Sequence, residues 1–249
     1  MTFPLGYPVG MFRLDLRPLR HLLVTVAFPV LVLQQDLFGT GWGVQDFAGP
    51  TFAFMISALV PALYVLGMQL GNRQASPVWL LFTLSTLVNA LSSFWWTDGL
   101  TFAVKDSSGS LFLAVSTLTS LLVGKPLFRF VVREYLSVVP QLTADDLTRL
   151  LHGPVRTLVQ QSTVVLFLKG LTVASVNTYV KFHMVKGSFG TEAFNQSLSL
   201  AVAVMVPVAY LATVTAYTLI FVLWKHKLGR HLTFPFSPQV LHQALLHVR

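Results

Sequence analysis

The chain has 249 residues, of which 54% are apolar and only 10% charged, and its net charge is +8. A water-soluble domain keeps roughly a quarter of its residues charged to wet its surface, so this composition excludes an ordinary soluble fold and sets most of the exterior against hydrocarbon. Cysteine is absent, which removes disulfide frameworks, thiolate metal sites and cysteine nucleophiles.

Crossing a bilayer core of about 30 Å takes about 20 mainly apolar residues in a helix. Six segments meet that length, at roughly 19–38, 51–71, 77–97, 108–128, 160–182 and 194–224. The expected architecture is all-α: a polytopic six-helix transmembrane domain over 19–224, between an N-terminal tail (1–18) and a C-terminal tail (225–249). The first apolar run follows Arg13, Arg17 and Arg20 but lacks a small-x-small cleavage site, so it reads as a retained helix rather than a signal peptide. Turns are expected at Gly39-Thr40-Gly41, Gly71-Asn72, Asp98-Gly99, Ser107-Ser108-Gly109 and Lys186-Gly187.

Lysine and arginine are distributed unevenly about these spans. Thirteen fall on the side of the two termini, the second-to-third loop and the long fourth-to-fifth connection counted from Lys125 to Arg156. Three (Lys105, Lys181 and Lys186) fall on the other side, and Lys169 lies within a span. The bias places both termini in the cytoplasm. Trp42, Trp79, Trp95, Trp96 and Trp224 sit near span ends, as interfacial aromatics do. The expected partners are the bilayer and its anionic headgroups, met by Lys125, Arg129 and Arg133, together with a second copy or another membrane protein. No nucleic-acid signature accompanies the charge.

Within the long connection, residues 142–152 read as a short amphipathic helix capped by Thr143 and stopped by Gly153-Pro154. Asp145 and Asp146 favour its positive end, which accounts for them better than a metal site does. In the tail, Leu241, Leu245 and Val248 share one face of a surface-lying helix.

No carboxylate falls in the middle of a predicted span, and the seven histidines lie at ends, loops and tail. An enzyme, a metal site and a cofactor are therefore not expected. Lys169 is the basic group inside a span. It shares a stripe with Gln161, Val165, Thr172, Val176 and Val180, with Asn177 beside it. Such a stripe should face protein or water, although a lysine about 9 Å deep could also snorkel to the interface. The third span aligns Phe82, Thr86, Asn89 and Ser93, and the sixth aligns Ser199, Ala203, Val206, Tyr210, Thr213 and Tyr217. Helix packing is the default role of such faces. Pro29, Pro61 and Pro207 each remove a helix hydrogen bond and should bend their spans.

At Ser120-Leu121-Leu122-Val123-Gly124-Lys125-Pro126-Leu127-Phe128-Arg129-Phe130, a small, hydroxylated helix ends in Gly-Lys-Pro-Leu and runs into a basic helix. This segment resembles the bacterial inner-membrane family related to intracellular septation protein A. Val155-Arg156-Thr157 through Lys169-Gly170 extends the resemblance to roughly residues 108–220. It implies an inner-membrane protein of the cell envelope and assigns no reaction or substrate.

The leading functional expectation is a small transporter or channel-like protein, its pathway lined by Lys169, Thr172, Asn177, Asn89 and Tyr210. The alternative is a non-catalytic envelope scaffold or accessory subunit, working through the basic 125–156 segment and the C-terminal tail.

Overall fold

The computed structural model describes Arg20 and residues 23–37, 39–71, 77–136 and 155–228. These residues are 83% helical and contain no strand. In chain order the helices are α1 (Leu23–Leu33, its first turn π-wound), α2 (Val44–Ala48), α3 (Pro50–Gly71), α4 (Pro77–Ser92) and α5 (Gly99–Lys105). They continue with α6 (Ser108–Leu122), α7 (Phe128–Leu136), α8 (Arg156–Met184) and α9 (Glu192–Leu228). The amphipathic segment expected at 142–152 and the tail beyond Leu228 lie outside the described residues.

Local chemistry explains most boundaries. Pro50 and Pro77 each open a helix, where a missing N–H costs nothing. Helix α6 ends in a Schellman motif. Gly124 takes the left-handed conformation at φ 72°, Gly124 N–H donates to Leu121 O at 3.0 Å, and Lys125 N–H returns to Ser120 O at 2.9 Å. Pro126 then stops any continuation. The third apolar segment is helical only to Ser92, because Ser93, Phe94 and Trp95 tighten into successive turns. Helices α2 and α5, inside stretches read as connecting loops, are additions to the sequence reading.

Each of the six apolar segments contains one of α1, α3, α4, α6, α8 and α9, and these close into a ring in chain order. Helix α1 packs on α3, α3 on α4, α4 on α6, α6 on α8, α8 on α9, and α9 back on α1. Among the described residues, α3, α8 and α9 are the helices long and apolar enough to cross a membrane. The described extents of α1, α4 and α6 are shorter.

The ring buries many polar side chains among its apolar ones and exposes many large apolar side chains. Ser57, Ser85, Ser93, Ser162, Thr163, Asn177, Asn195 and Ser199 are all buried, while Leu63, Leu70, Leu91, Leu122, Leu200 and Leu211 are exposed. A water-soluble bundle has the opposite pattern, whereas helices in lipid hold their polar groups together inside. Two apolar clusters close the ends. At the basic end, Phe128, Val132 and Leu136 of α7 pack with Leu158, Val159, Ile220 and Trp224. Trp224 Nε1 donates to Ser162 Oγ at 2.8 Å. At the other end, Leu33, Phe54, Phe102, Phe194 and Leu198 form a cluster beside Val185 and Phe189. Asn195 ties that end together, donating to Gln45 Oε1 at 2.9 Å and Pro50 O at 2.7 Å.

Candidate functional site: a polar cavity inside the helix ring

All six ring helices contribute to the wall of one cavity of about 470 Å³. Pockets for small molecules occupy about 300–1,000 Å³, so the volume suits a small solute. Along α3 the wall runs from Phe54 to Val65, a depth of about 16 Å at the helical rise. Helix α4 and the turn that ends it supply the most polar strip, with Ser85, Thr86, Asn89 and Ser93 all on the wall. Thr25 and Pro29 come from α1, Ser57 and Pro61 from α3, Gly109 and Ser110 from α6. Pro61 cannot donate to the carbonyl of Ser57 one turn earlier, and both residues are on the wall.

The charged end of the cavity is made by α8 and the turn between α5 and α6. Lys181 of α8 forms a salt bridge with Asp106, their side chains 7% and 13% exposed. These two are the ionisable residues on the wall. One turn before Lys181, Asn177 Nδ2 donates to Ser107 Oγ at 2.9 Å and approaches Asp106 O at 3.4 Å. Thr178 Oγ1 also donates to Ser107 Oγ, at 2.9 Å, and Ser107 Oγ in turn donates to Ala103 O at 3.0 Å. Both charges are thus desolvated and paired, on a wall otherwise made of hydroxyl, amide and apolar groups.

An aromatic layer covers that end. Leu33, Phe54 and Leu198 belong both to the wall and to the buried aromatic cluster. Behind them, Lys105 Nζ sits 5.2 Å from the Phe102 ring centroid, 5.8 Å from that of Phe54 and 5.9 Å from that of Phe189. It donates to the Trp95 carbonyl. Burial pushes the Lys105 ammonium down to about 8, with Asp98 pulling the other way. Asp98 Oδ1 in turn accepts from Phe189 N–H at 2.6 Å, joining the α4–α5 and α8–α9 turns.

Two of the five residues expected to line a pathway, Asn89 and Asn177, stand on this wall. Lys169, Thr172 and Tyr210 do not. Lys169 is half-buried, Thr172 is exposed, and Tyr210 is 68% exposed on the outer face of α9. The inward face of α8 runs through Gly170, Ala174, Asn177 and Lys181, one residue around the helix from the stripe read through Lys169. Lys181 and Asp106 were missed because each counts as a loop-end charge in a linear reading. The available signal was the small-residue approach of Gly170 and Ala174 to the turn bearing Asn177 and Lys181. At the basic end, Lys125 and Arg133 are exposed and Arg129 is half-buried. Helix α7 therefore turns Phe128, Val132 and Leu136 inward and its basic side outward. Among the described residues, no group of three His, Asp or Glu converges as a metal site.

Comparison with family models, curated proteins and solved structures gave no match. The class of protein the fold defines is therefore an all-helical one with membrane-compatible helices, and its function is argued from the cavity.

Proposed function

We propose that this chain is a six-span membrane transporter or channel-like protein whose solute path runs through the cavity inside the helix ring. The observation that carries this reading is the cavity itself: about 470 Å³ of space, its wall about half polar, in a bundle that exposes many large apolar side chains. Polar groups in hydrocarbon are costly unless partnered or hydrated, and a ring that only needed to pack would gain by filling this volume with side chains. Asn89 and Asn177 are the pathway residues, joined by Ser57, Ser85 and Ser93. The six-span reading takes the first, third and fourth spans from the lengths of their apolar segments in the sequence, since the described helices α1, α4 and α6 measure about 17, 24 and 23 Å at the helical rise. The positive-inside bias supports cytoplasmic termini, and the Ser120–Phe130 resemblance supports an inner-membrane setting. The scaffold reading draws on one feature, the outward basic side of α7 at Lys125, Arg129 and Arg133.

The test is flux through purified protein in liposomes, across panels of ions and small metabolites. Asn89→Ala and Asn177→Ala should change the rate or selectivity of any flux, while Tyr210→Ala on the outer face should not. Absence of flux across the panels, with the protein folded and inserted, overturns the transport reading in favour of the scaffold.

A further inference from the structure

We infer that the Lys181–Asp106 pair is a recognition site for a small zwitterion, of the class in which a carboxylate and an ammonium flank one carbon. The inference rests on the proposed solute cavity and names the solute class that would occupy it.

A buried ion pair is a poor way to stabilise a bundle, because desolvating both charges offsets most of their attraction. Nor is this pair needed to hold α8 to the α5–α6 turn. Asn177 and Thr178 already reach Ser107 there, each at 2.9 Å, using uncharged groups. Yet both charges lie on the cavity wall, and the other wall positions carry no ionisable group. The wall is therefore neutral overall but strongly dipolar at one end.

That arrangement discriminates among solutes by charge pattern. A simple anion drawn to Lys181 meets Asp106 beside it, and a simple cation drawn to Asp106 meets Lys181. Either one leaves a buried charge uncompensated, which is costly. A zwitterion inserted across the pair gives its carboxylate to Lys181 and its ammonium to Asp106, so that every charge keeps a partner. An uncharged solute gains nothing at this end. The volume admits a small α-amino acid with room for a modest side chain.

The experiment is equilibrium binding to detergent-purified full-length protein, read by radiolabelled-ligand retention and by the ligand-induced shift of the unfolding temperature. The probes are L-alanine, L-serine and L-leucine, against propionate (carboxylate only), isopropylamine (ammonium only) and propionamide (neither charge). Retention and a thermal shift with one or more zwitterions, and with none of the other three, is the expected result. Lys181→Met and Asp106→Asn should each weaken it roughly 10- to 100-fold, the loss of one charge-assisted contact. If either variant does not yield a monodisperse helical protein, the wild-type probe comparison decides alone. Propionate or isopropylamine binding as tightly as the zwitterions overturns the inference, as does retention of none of the zwitterions. Zwitterion binding without flux would refute the transport reading while leaving this site intact. Flux of an uncharged solute without zwitterion binding would do the reverse.

Discussion

Replacing Gly109 by alanine tests how closely α4 and α6 are pressed together beside the cavity. A methyl group there would lie 2.9 Å from the Ser85 carbonyl oxygen and 3.2 Å from Asn89 Cβ. Ordinary contact begins at 3.4 Å, so the backbone of α4 would have to retreat by about half an ångström. Ser85 Oγ donates to Gly109 O at 2.8 Å across the same approach, and that bond would stretch as well. Overpacking of this kind costs about 1–3 kcal/mol, while the glycine-to-alanine exchange in a helix returns about 0.5–1 kcal/mol. The expected net loss is about 1–2 kcal/mol. Gly170→Ala is the milder comparison: its methyl would meet Ala114 Cβ at 3.3 Å and the Ala114 backbone at 3.4 Å, a tight contact relieved by a shift of about 0.1 Å, so its loss should be smaller than that of Gly109→Ala. Both variants would be unfolded in one detergent by denaturant or heat and followed by helical circular dichroism. A Gly109→Ala protein as stable as wild type, or a Gly170→Ala protein that is the worse of the two, would refute the packing argument.

Two more expectations follow from other parts of the molecule. Lys105 sits near 8 in the folded chain against its ordinary 10.5, so the unfolded chain holds the extra proton between those values. Burying the charged form then costs stability below about pH 8, and stability should rise as pH climbs from 8 to 10.5. Unfolding midpoints across that window should climb more steeply in wild type than in Lys105→Met, and equal slopes would contradict the assignment. The cysteine-free chain also makes topology directly readable. Lys125→Cys and Ser188→Cys, both exposed positions, should react with an impermeant maleimide from opposite faces of the membrane, with Lys125→Cys on the cytoplasmic face. Labelling from the same face would break the six-span orientation.

The helical class and some of the turns, such as Gly39-Thr40-Gly41 and Lys186-Gly187, were legible in the sequence, and for local reasons. Apolar stretches of sufficient length and glycine breakers act on their own few residues, whereas the fourth apolar segment, expected to run on to 128, stops as a helix at Leu122 ahead of Gly124 and Pro126. The small helices α2 and α5 were not legible, since five to seven residues with no periodic face look like loop. The rotation of each long helix about its axis was the harder matter. In α8 both the outward and the inward sides are apolar enough for either to pass as a packing face, so the Lys169 stripe and the Gly170–Lys181 face compete, one residue apart. In α4 and the turn after it, by contrast, Thr86, Asn89 and Ser93 repeat at helical spacing, and all three reached the cavity wall.

By itself, then, the sequence determined that the protein is helical, apolar on most surfaces and basic at one end, because composition and local breakers decide those properties within a turn or two of helix. Ring closure, the cavity it surrounds and the meeting of Lys181 with Asp106 were decided only by tertiary structure. Those two residues are far apart along the chain and acquire a common environment only when α8 packs against α6 and the α5–α6 turn. Charge burial is a property of that packed neighbourhood, and no local pattern around either residue encodes it.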